Sequence, residues 1–231
     1  MSSQQTTPAA KPARPPEPKP PAEFQEGAIA SMEVSGLLAI VRSGSATEFQ
    51  KAKACQRLGE LGAKEAVPAL AALLPDEHLS TYARYGLEPI AGPSVDEALR
   101  AALPKLKGEA LIGVINSLGK RRDANALPAL AKLMHGSGID VARAAAAAMG
   151  SIGGPSAARE LQPALGKTTG VLRASVADAC LVCAERLLAS GGREQAMALY
   201  AAVSVPGMPQ PQRLAAMNSI IREETAVTRP R

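Results

Sequence analysis

The chain has 231 residues, a formal net charge of +5 and 46% hydrophobic residues, enough apolar side chains to build a folded core. Only 2% of the residues are aromatic and Trp is absent, so the core must be aliphatic. Its main components are Ala and Leu, which favour helices over strands. No segment has the pattern of a signal peptide or the roughly 20 apolar residues of a membrane helix. We therefore expect an all-α, cytoplasmic protein without membrane insertion.

The first part of the chain is rich in proline. Residues 1–22 carry seven of the nineteen prolines, among Lys, Arg, Ser and Thr, with almost nothing that a core would bury. They are predicted to be a disordered tail. Residues 11–15 fit a polyproline ligand pattern, although Pro-rich linkers match that pattern as well. The folded body is predicted over residues 23–225, followed by a flexible C-terminal end at residues 226–231.

A sequence unit recurs along the folded body. Residues 57–62 and 66–73 return 60 positions later, as residues 117–119 and 126–133. Weaker copies lie between and after them, so the true period is about half of 60 residues. The positions that close four successive units are spaced 30, 30 and 31 residues apart: Gly62, Gly92, Arg122 and Gly153.

Each unit has the pattern of two helices. Apolar residues recur at helical spacing, as at Val176, Cys180 and Cys183, and the closing glycines suit the left-handed residue that ends a helix. The predicted helices are 28–42, 46–61, 64–74, 78–88, 94–104, 107–120, 124–134, 138–152, 155–165, 169–189, 192–203 and 209–224. One helix pair cannot bury its own apolar face, so about six pairs are expected to stack into a right-handed α–α superhelix, a solenoid.

Two segments resemble a known repeat family. Leu118 and Gly119 with residues 126–130, and residues 141–146 followed by Met149 and Gly150, resemble the short bacterial HEAT-like repeats, which include phycobilisome-lyase-type repeats. The resemblance covers about residues 35–190. It implies an armadillo-like superhelix in which the first helices form the convex face and the second helices line a concave, partner-binding face. It implies little about activity.

Residues that would support catalysis are sparse. His78 and His135 have no clustered ligands and lack the His-Glu pairs of HEAT-like iron hydroxylases. Cys180 and Cys183 have the spacing of a redox or metal motif, but they lie inside a predicted helix on its apolar face, so we interpret them as core residues. The sequence therefore predicts no enzyme, no cofactor and no metal site.

An aromatic pair stands in the irregular unit at residues 82–89. Tyr82 and Tyr85 lie three residues apart on one helical face, with Arg84 between them. They form a candidate binding patch, because aromatic residues and Arg are enriched in interface hot spots. The alternative is that both rings fill space left by a helix break before Pro89, where the stack is expected to bend.

Basic residues recur near the second helices. Arg143 and Arg173 hold corresponding positions 30 residues apart and would stack into a ladder. They either pair with Asp140 and Asp178 or form a basic strip that meets an acidic partner or phosphate. Three further basic residues would extend the strip: Lys120, Arg121 and Arg122.

The function predicted from these features is that of a non-catalytic scaffold or adaptor. It would bind a protein partner of unknown identity on its concave face. The alternative is nucleic-acid binding, because the chain is basic and HEAT-like DNA glycosylases exist, although those use aromatic side chains and Trp is absent here. A bilin lyase-type enzyme is a third hypothesis, which rests on the resemblance alone.

Overall fold

The structure is a computed structural model that describes residues 29–228, so the predicted tail lies outside the described residues. The described part is helical and contains no strand. Its helices are α1 (Val34–Arg42), α2 (Glu48–Glu60), α3 (Val67–Ala72), α4 (Ser80–Leu87), α5 (Pro93–Ala102), α6 (Gly108–Arg121), α7 (Leu127–Gly136), α8 (Ile139–Ile152), α9 (Gly154–Lys167), α10 (Gly170–Ala189), α11 (Arg193–Ser204) and α12 (Gln210–Thr228). The all-α prediction is confirmed, and every predicted helix has a counterpart.

Two predicted helix boundaries are wrong by more than three residues. The first α-helix begins at Val34, not at 28, because Met32 and an extended Glu33 separate it from a short 3-10 turn. The last helix continues to Thr228, so residues 226–228 are helical, although they were assigned to a flexible end. Neither Gly nor Pro interrupts the chain between Pro211 and Pro230, and nothing stops the helix earlier.

The helices pack as six consecutive pairs, from α1 with α2 to α11 with α12. The second helix of each pair also packs against the second helix of the next, in one row from α2 to α12. The first helices contact one another less extensively. This arrangement is the predicted solenoid.

The second helices approach one another at small residues. A Cβ atom on Gly150 would lie 2.7 Å from the carbonyl oxygen of Ala179, and one on Gly59 would lie 2.7 Å from that of Gly86. A Cβ atom on Gly119 would lie 2.9 Å from the Cα atom of Ala148 in α8. The row of second helices is therefore packed backbone to backbone at these positions.

A second set of positions lies at the turns between helices. Gly62, Gly92 and Gly153 have φ angles of 64°, 119° and 71°: Gly62 follows the end of α2, Gly92 is the N-cap of α5, and Gly153 lies between α8 and α9. Arg122 takes the same place at the end of α6 with a φ of 57°, and it is the non-glycine residue with positive φ in the described part of the chain. Its side chain therefore sits on a backbone conformation that favours glycine.

Candidate functional site

A groove crosses the exposed sides of three second helices and has a volume of about 580 Å³. Within each helix its lining residues recur every three or four positions, with two adjacent pairs, 143–144 and 178–179, and this spacing places side chains on one face of a helix. They are Glu109, Ile112 and Asn116 from α6, Asp140, Arg143, Ala144, Ala147 and Ser151 from α8, and Ser175, Asp178, Ala179 and Val182 from α10.

A neighbouring groove of about 510 Å³ lies between α4 and α6. Glu109, Ile112 and Asn116 line both grooves, so α6 is their common wall. The exposed sides of α4, α6, α8 and α10 thus form one extended surface, which we call the second-helix surface. Sequence reasoning missed its small residues, although Ala144 and Ala147 lie at helical spacing in the Ala-rich run of α8.

The charge of this surface is mixed. Acidic side chains outnumber basic ones in the two grooves: Asp76, Glu77, Glu109, Asp140 and Asp178 against Arg84, Lys107 and Arg143. The grooves therefore do not carry the continuous basic strip that was one of two interpretations of the arginine ladder.

The arginine ladder does not form the expected ion pairs either. Arg143 donates from Nε to the hydroxyl of Ser175 at 3.2 Å, and Arg173 donates from Nε to the carbonyl oxygen of Thr168 at 2.6 Å. Asp178 instead accepts a hydrogen bond of 2.9 Å from Gln212. Of the two arginines, only Arg143 lines the groove.

Arg121 is bound inside the protein. Its guanidinium donates to the carbonyl oxygens of Glu88 and Ile90, both at 2.8 Å, to that of Gly92 at 3.1 Å, and to both carboxylate oxygens of Asp96. All five N–H groups are used, and the side chain is only 12% exposed. Arg121 therefore holds the connection between α4 and α5, and we leave it out of the candidate surface.

The two neighbours of Arg121 have different surroundings. The ammonium group of Lys120 lies 2.6 Å from Glu88 Oε2, while the other oxygen of that carboxylate accepts a hydrogen bond from Ser117 at 2.7 Å. Arg122 is exposed at the turn after α6. The three consecutive basic residues therefore do not form one patch.

The aromatic pair lies at the surface. The side chains of Tyr82 and Tyr85 are 45% and 58% exposed, so neither ring fills a space in the core. Arg84 is only 15% exposed, donates to the hydroxyl of Thr81 at 3.3 Å and has its guanidinium carbon 6.0 Å from the centre of the Tyr85 ring. The exposure of both rings contradicts the packing alternative, and the binding patch stays a prediction.

Arg84 also joins the aromatic pair to the grooves. It lines the groove between α4 and α6 and lies flat over Gly113, where a Cβ atom would come within 2.5 Å of its Nε. Gly113 is a further residue that sequence reasoning missed. Its signal in the sequence was a glycine in the middle of the predicted helix 107–120.

The cysteines belong to the core. Cys180 and Cys183 are fully buried, and burial raises the pKa of Cys180 to about 12 and that of Cys183 to about 11. The thiols are therefore protonated at neutral pH and unreactive. This agrees with the interpretation of both cysteines as core residues. In the described part of the chain, no group of three or more His, Cys, Asp or Glu side chains is placed to hold a metal ion. No helix within residues 29–228 is both long and apolar enough to span a bilayer.

Comparison with known families agrees with the architecture. Residues 96–180 match the model of HEAT repeats. This segment consists of HEAT repeats. No curated protein matches the chain significantly. A similar solved structure is the complex of CpcE and CpcF of phycocyanin lyase from Nostoc sp. PCC7120, with 20% identity over 87% of each chain and a TM-score of 0.43. At that level the similarity says nothing about activity or partners.

Proposed function

We propose that this HEAT-repeat protein is a non-catalytic scaffold that binds a protein partner on its second-helix surface. The observation that carries the proposal is the pair of grooves with α6 as their common wall. Ala144, Ala147 and Ala179 leave room between the helices, and charged residues surround them. An extended groove of this shape suits a segment of another protein better than a small substrate, which binds in a concave pocket that buries most of its surface.

The charges of the grooves favour a partner that presents Lys or Arg. Glu109, Asp140 and Asp178 line the larger groove, against a single basic residue, Arg143. Nucleic acid is disfavoured at this place, because its binding depends on neutralising phosphates with basic side chains. The net charge of +5 therefore does not describe the face that the partner would meet.

Tyr82 and Tyr85 extend the proposed interface beyond the groove that Arg84 lines. Their exposed rings supply contact area at low entropic cost. Tyr85 also borders a depression of about 280 Å³, together with Glu88, Pro89 and Lys120. A partner seated in the grooves would meet these rings at the α4 end of the surface.

A test is to fill the larger groove with one side chain. Ala147 is exposed within it, and Ala147→Arg would occupy the space and reverse part of its charge. Ala201→Arg is the matched control, because it adds the same side chain to an exposed alanine outside the groove. Ala201 lies on α11, which is the first helix of the last pair. The measurement is quantitative affinity purification from the source cells. Partners recovered with both the wild type and the control should be recovered in at least ~10-fold lower amounts with Ala147→Arg.

The aromatic pair gives a second arm of the test. With the partner recovered, Tyr82→Ala and Tyr85→Ala should weaken its binding by ~10-fold or more and change the free energy of unfolding by less than ~1 kcal/mol, since both rings are exposed. If Ala147→Arg retains the same partners as the wild type, the proposed surface is wrong. Turnover of a substrate by the purified protein would refute the non-catalytic role.

A further inference from the structure

Arg84 has hydrogen-bond donors that no described residue accepts. A guanidinium carries five N–H groups, and in the described part of the chain Arg84 makes one hydrogen bond, from Nη2 to the hydroxyl of Thr81 at 3.3 Å. Its Nε is buried without an acceptor. Its Nη1 lies 4.0 Å from Glu88, whose carboxylate accepts closer bonds from Ser117 and Lys120. The guanidinium can therefore take a further acceptor.

Gly113 of α6 determines where this guanidinium lies. A Cβ atom on Gly113 would lie 2.5 Å from Arg84 Nε, 2.7 Å from Cζ and 2.9 Å from Nη2, so the face of the guanidinium rests on the glycine. At Gly59 and Gly150 the atoms nearest to a Cβ belong instead to the backbone of the next helix. The missing side chain of Gly113 therefore makes room for the guanidinium, which is held against the wall of the groove between α4 and α6.

A second polar group in the same groove lacks a partner. Ser80 lies one turn before Arg84 on the same side of α4, lines the groove and is only 6% exposed. Its hydroxyl is buried and makes no hydrogen bond within residues 29–228. Unpartnered polar groups are rare in protein interiors because they cost free energy. A ligand oxygen that enters between Ser80 and Arg84 would give both groups an acceptor.

The acceptor that fits this place is a carboxylate. Its two oxygens match the parallel N–H groups of a guanidinium. Phosphate is disfavoured, because it would bring about two negative charges to a groove that Asp76, Glu77 and Glu109 already line. These three residues are exposed, so solvent screens their charges. Arg84 is only 15% exposed, and Lys107 adds a second cation to the lining.

We propose that Arg84, held in place by Gly113, binds an Asp or Glu side chain of the partner segment, with the Ser80 hydroxyl as a further donor. This inference rests on the proposed function, which places the segment on the second-helix surface. It adds a carboxylate to the Lys or Arg that the larger groove favours. The partner segment would thus carry both charges, each at its own end of the surface.

The spacing of the helices predicts how far apart the two charges are. Packed helices lie ~8–10 Å apart, so the axes of α4 and α8 are about 16–20 Å apart across α6. An extended chain covers this distance in about five or six residues at ~3.3 Å each. The acidic residue of the partner is therefore expected about five or six positions from its basic residue.

Synthetic peptides test the site before the partner is known. Gly/Ser peptides, capped at both ends, carry one Glu and one Lys about six residues apart, in either order, and each has a counterpart with Gln in place of Glu. They are titrated into the ¹⁵N-labelled full chain. A Glu peptide should shift the Nε–H signal of Arg84, assigned by its loss in Arg84→Gln, and should bind at least ~10-fold more tightly than its Gln counterpart.

Two variants should weaken binding of the Glu peptide at least ~10-fold. Arg84→Gln removes the guanidinium. Gly113→Ala displaces it, and the melting temperature should change little, because the new methyl group meets the end of a flexible side chain. Arg159→Gln is the matched control and should bind like the wild type. Arg159 of α9 also donates to a hydroxyl three residues earlier, that of Ser156, and it lines neither groove.

The outcomes separate this proposal from the proposed function. If Ala147→Arg loses the partner while Arg84→Gln and Gly113→Ala retain it, the surface is right and the carboxylate site is wrong. If Ala147→Arg retains the partner while peptide binding depends on Glu and on Arg84, the site is right and the surface is wrong. Equal binding of Glu and Gln peptides overturns the proposal, as does the absence of any shift at Arg84 up to about 5 mM peptide. Tighter binding of a peptide with phosphoserine in place of Glu would assign the site to phosphate and overturn it as well.

Discussion

Gly150 offers a direct test of the close packing between second helices. In the middle of an exposed helix, replacing Gly by Ala stabilises a protein by ~0.5–1 kcal/mol. At Gly150 the new methyl group would lie 2.7 Å from the carbonyl oxygen of Ala179 and 2.8 Å from its Cα atom. Ordinary van der Waals contact begins at about 3.4 Å, so α8 and α10 would have to separate by several tenths of an ångström.

The expected effect of Gly150→Ala follows from these two opposing contributions. Overpacking of a tight site costs ~1–3 kcal/mol, which exceeds the gain in helix propensity. We expect a net loss of about 1–2 kcal/mol in the free energy of unfolding. For a folded body of this size each kcal/mol corresponds to ~2–4 °C, so the melting temperature should fall by roughly 2–8 °C.

Gly166→Ala is the matched control for this experiment. Gly166 lies in α9, is exposed, and has no atom within 4 Å of the position that a Cβ would take. Its replacement should raise the melting temperature, measured by circular dichroism at the helix band, by ~1–4 °C. If Gly150→Ala stabilises the protein as much as Gly166→Ala does, the second helices are not packed backbone to backbone.

Three further predictions concern the turns and the core. Arg121→Lys should lower the free energy of unfolding by about 2–4 kcal/mol in urea titrations, because one ammonium group cannot satisfy three carbonyl oxygens and Asp96. Arg122→Gly should raise it by ~0.5–1 kcal/mol, whereas Arg122→Ala, which keeps a side chain at a φ of 57°, should give no gain. Burial raises the pKa of Cys55 and Cys180 from 9.0 to about 12 and that of Cys183 to about 11. The unfolded chain therefore releases thiol protons that the native protein retains, so the contribution of the thiols to stability is complete below pH 9 and is lost as the pH rises towards 11 and 12. The urea midpoint should fall above pH 9, and replacing all three cysteines by Ala should flatten that fall.

The helices were predictable because the repeat carries two independent signals. Apolar spacing located the helices, and the closing position of each unit located the turns between them, where Gly62, Gly92 and Gly153 have positive φ angles. The break at Met32 and Glu33 was missed, because the apolar spacing continues through it. Pro163 lies inside α9, where a rule based on proline alone would have ended the helix.

The candidate surface was only partly predictable, because neighbours in sequence diverge on a helix. Lys120 and Arg121 are consecutive, so their side chains point in directions about 100° apart. Lys120, which is itself largely exposed, consequently reaches the buried carboxylate of Glu88, while Arg121 reaches the connection before α5. A run of like charges in the sequence is therefore poor evidence for a charged patch when it lies on a helix. Tyr82 and Tyr85 were placed correctly on one face, since their spacing of three residues follows the helix.

Small residues give the second helices two properties at once. Gly119 and Gly150 let successive backbones come together. Ala144 and Ala147, on the exposed side of the same row, leave space that longer side chains would fill. The close packing and the groove thus have a common origin in the Ala-rich and Gly-rich second helices. A substitution that enlarges a residue between the helices should alter the packing of the helices and partner binding together, whereas Ala147→Arg should alter binding alone, because Ala147 is exposed.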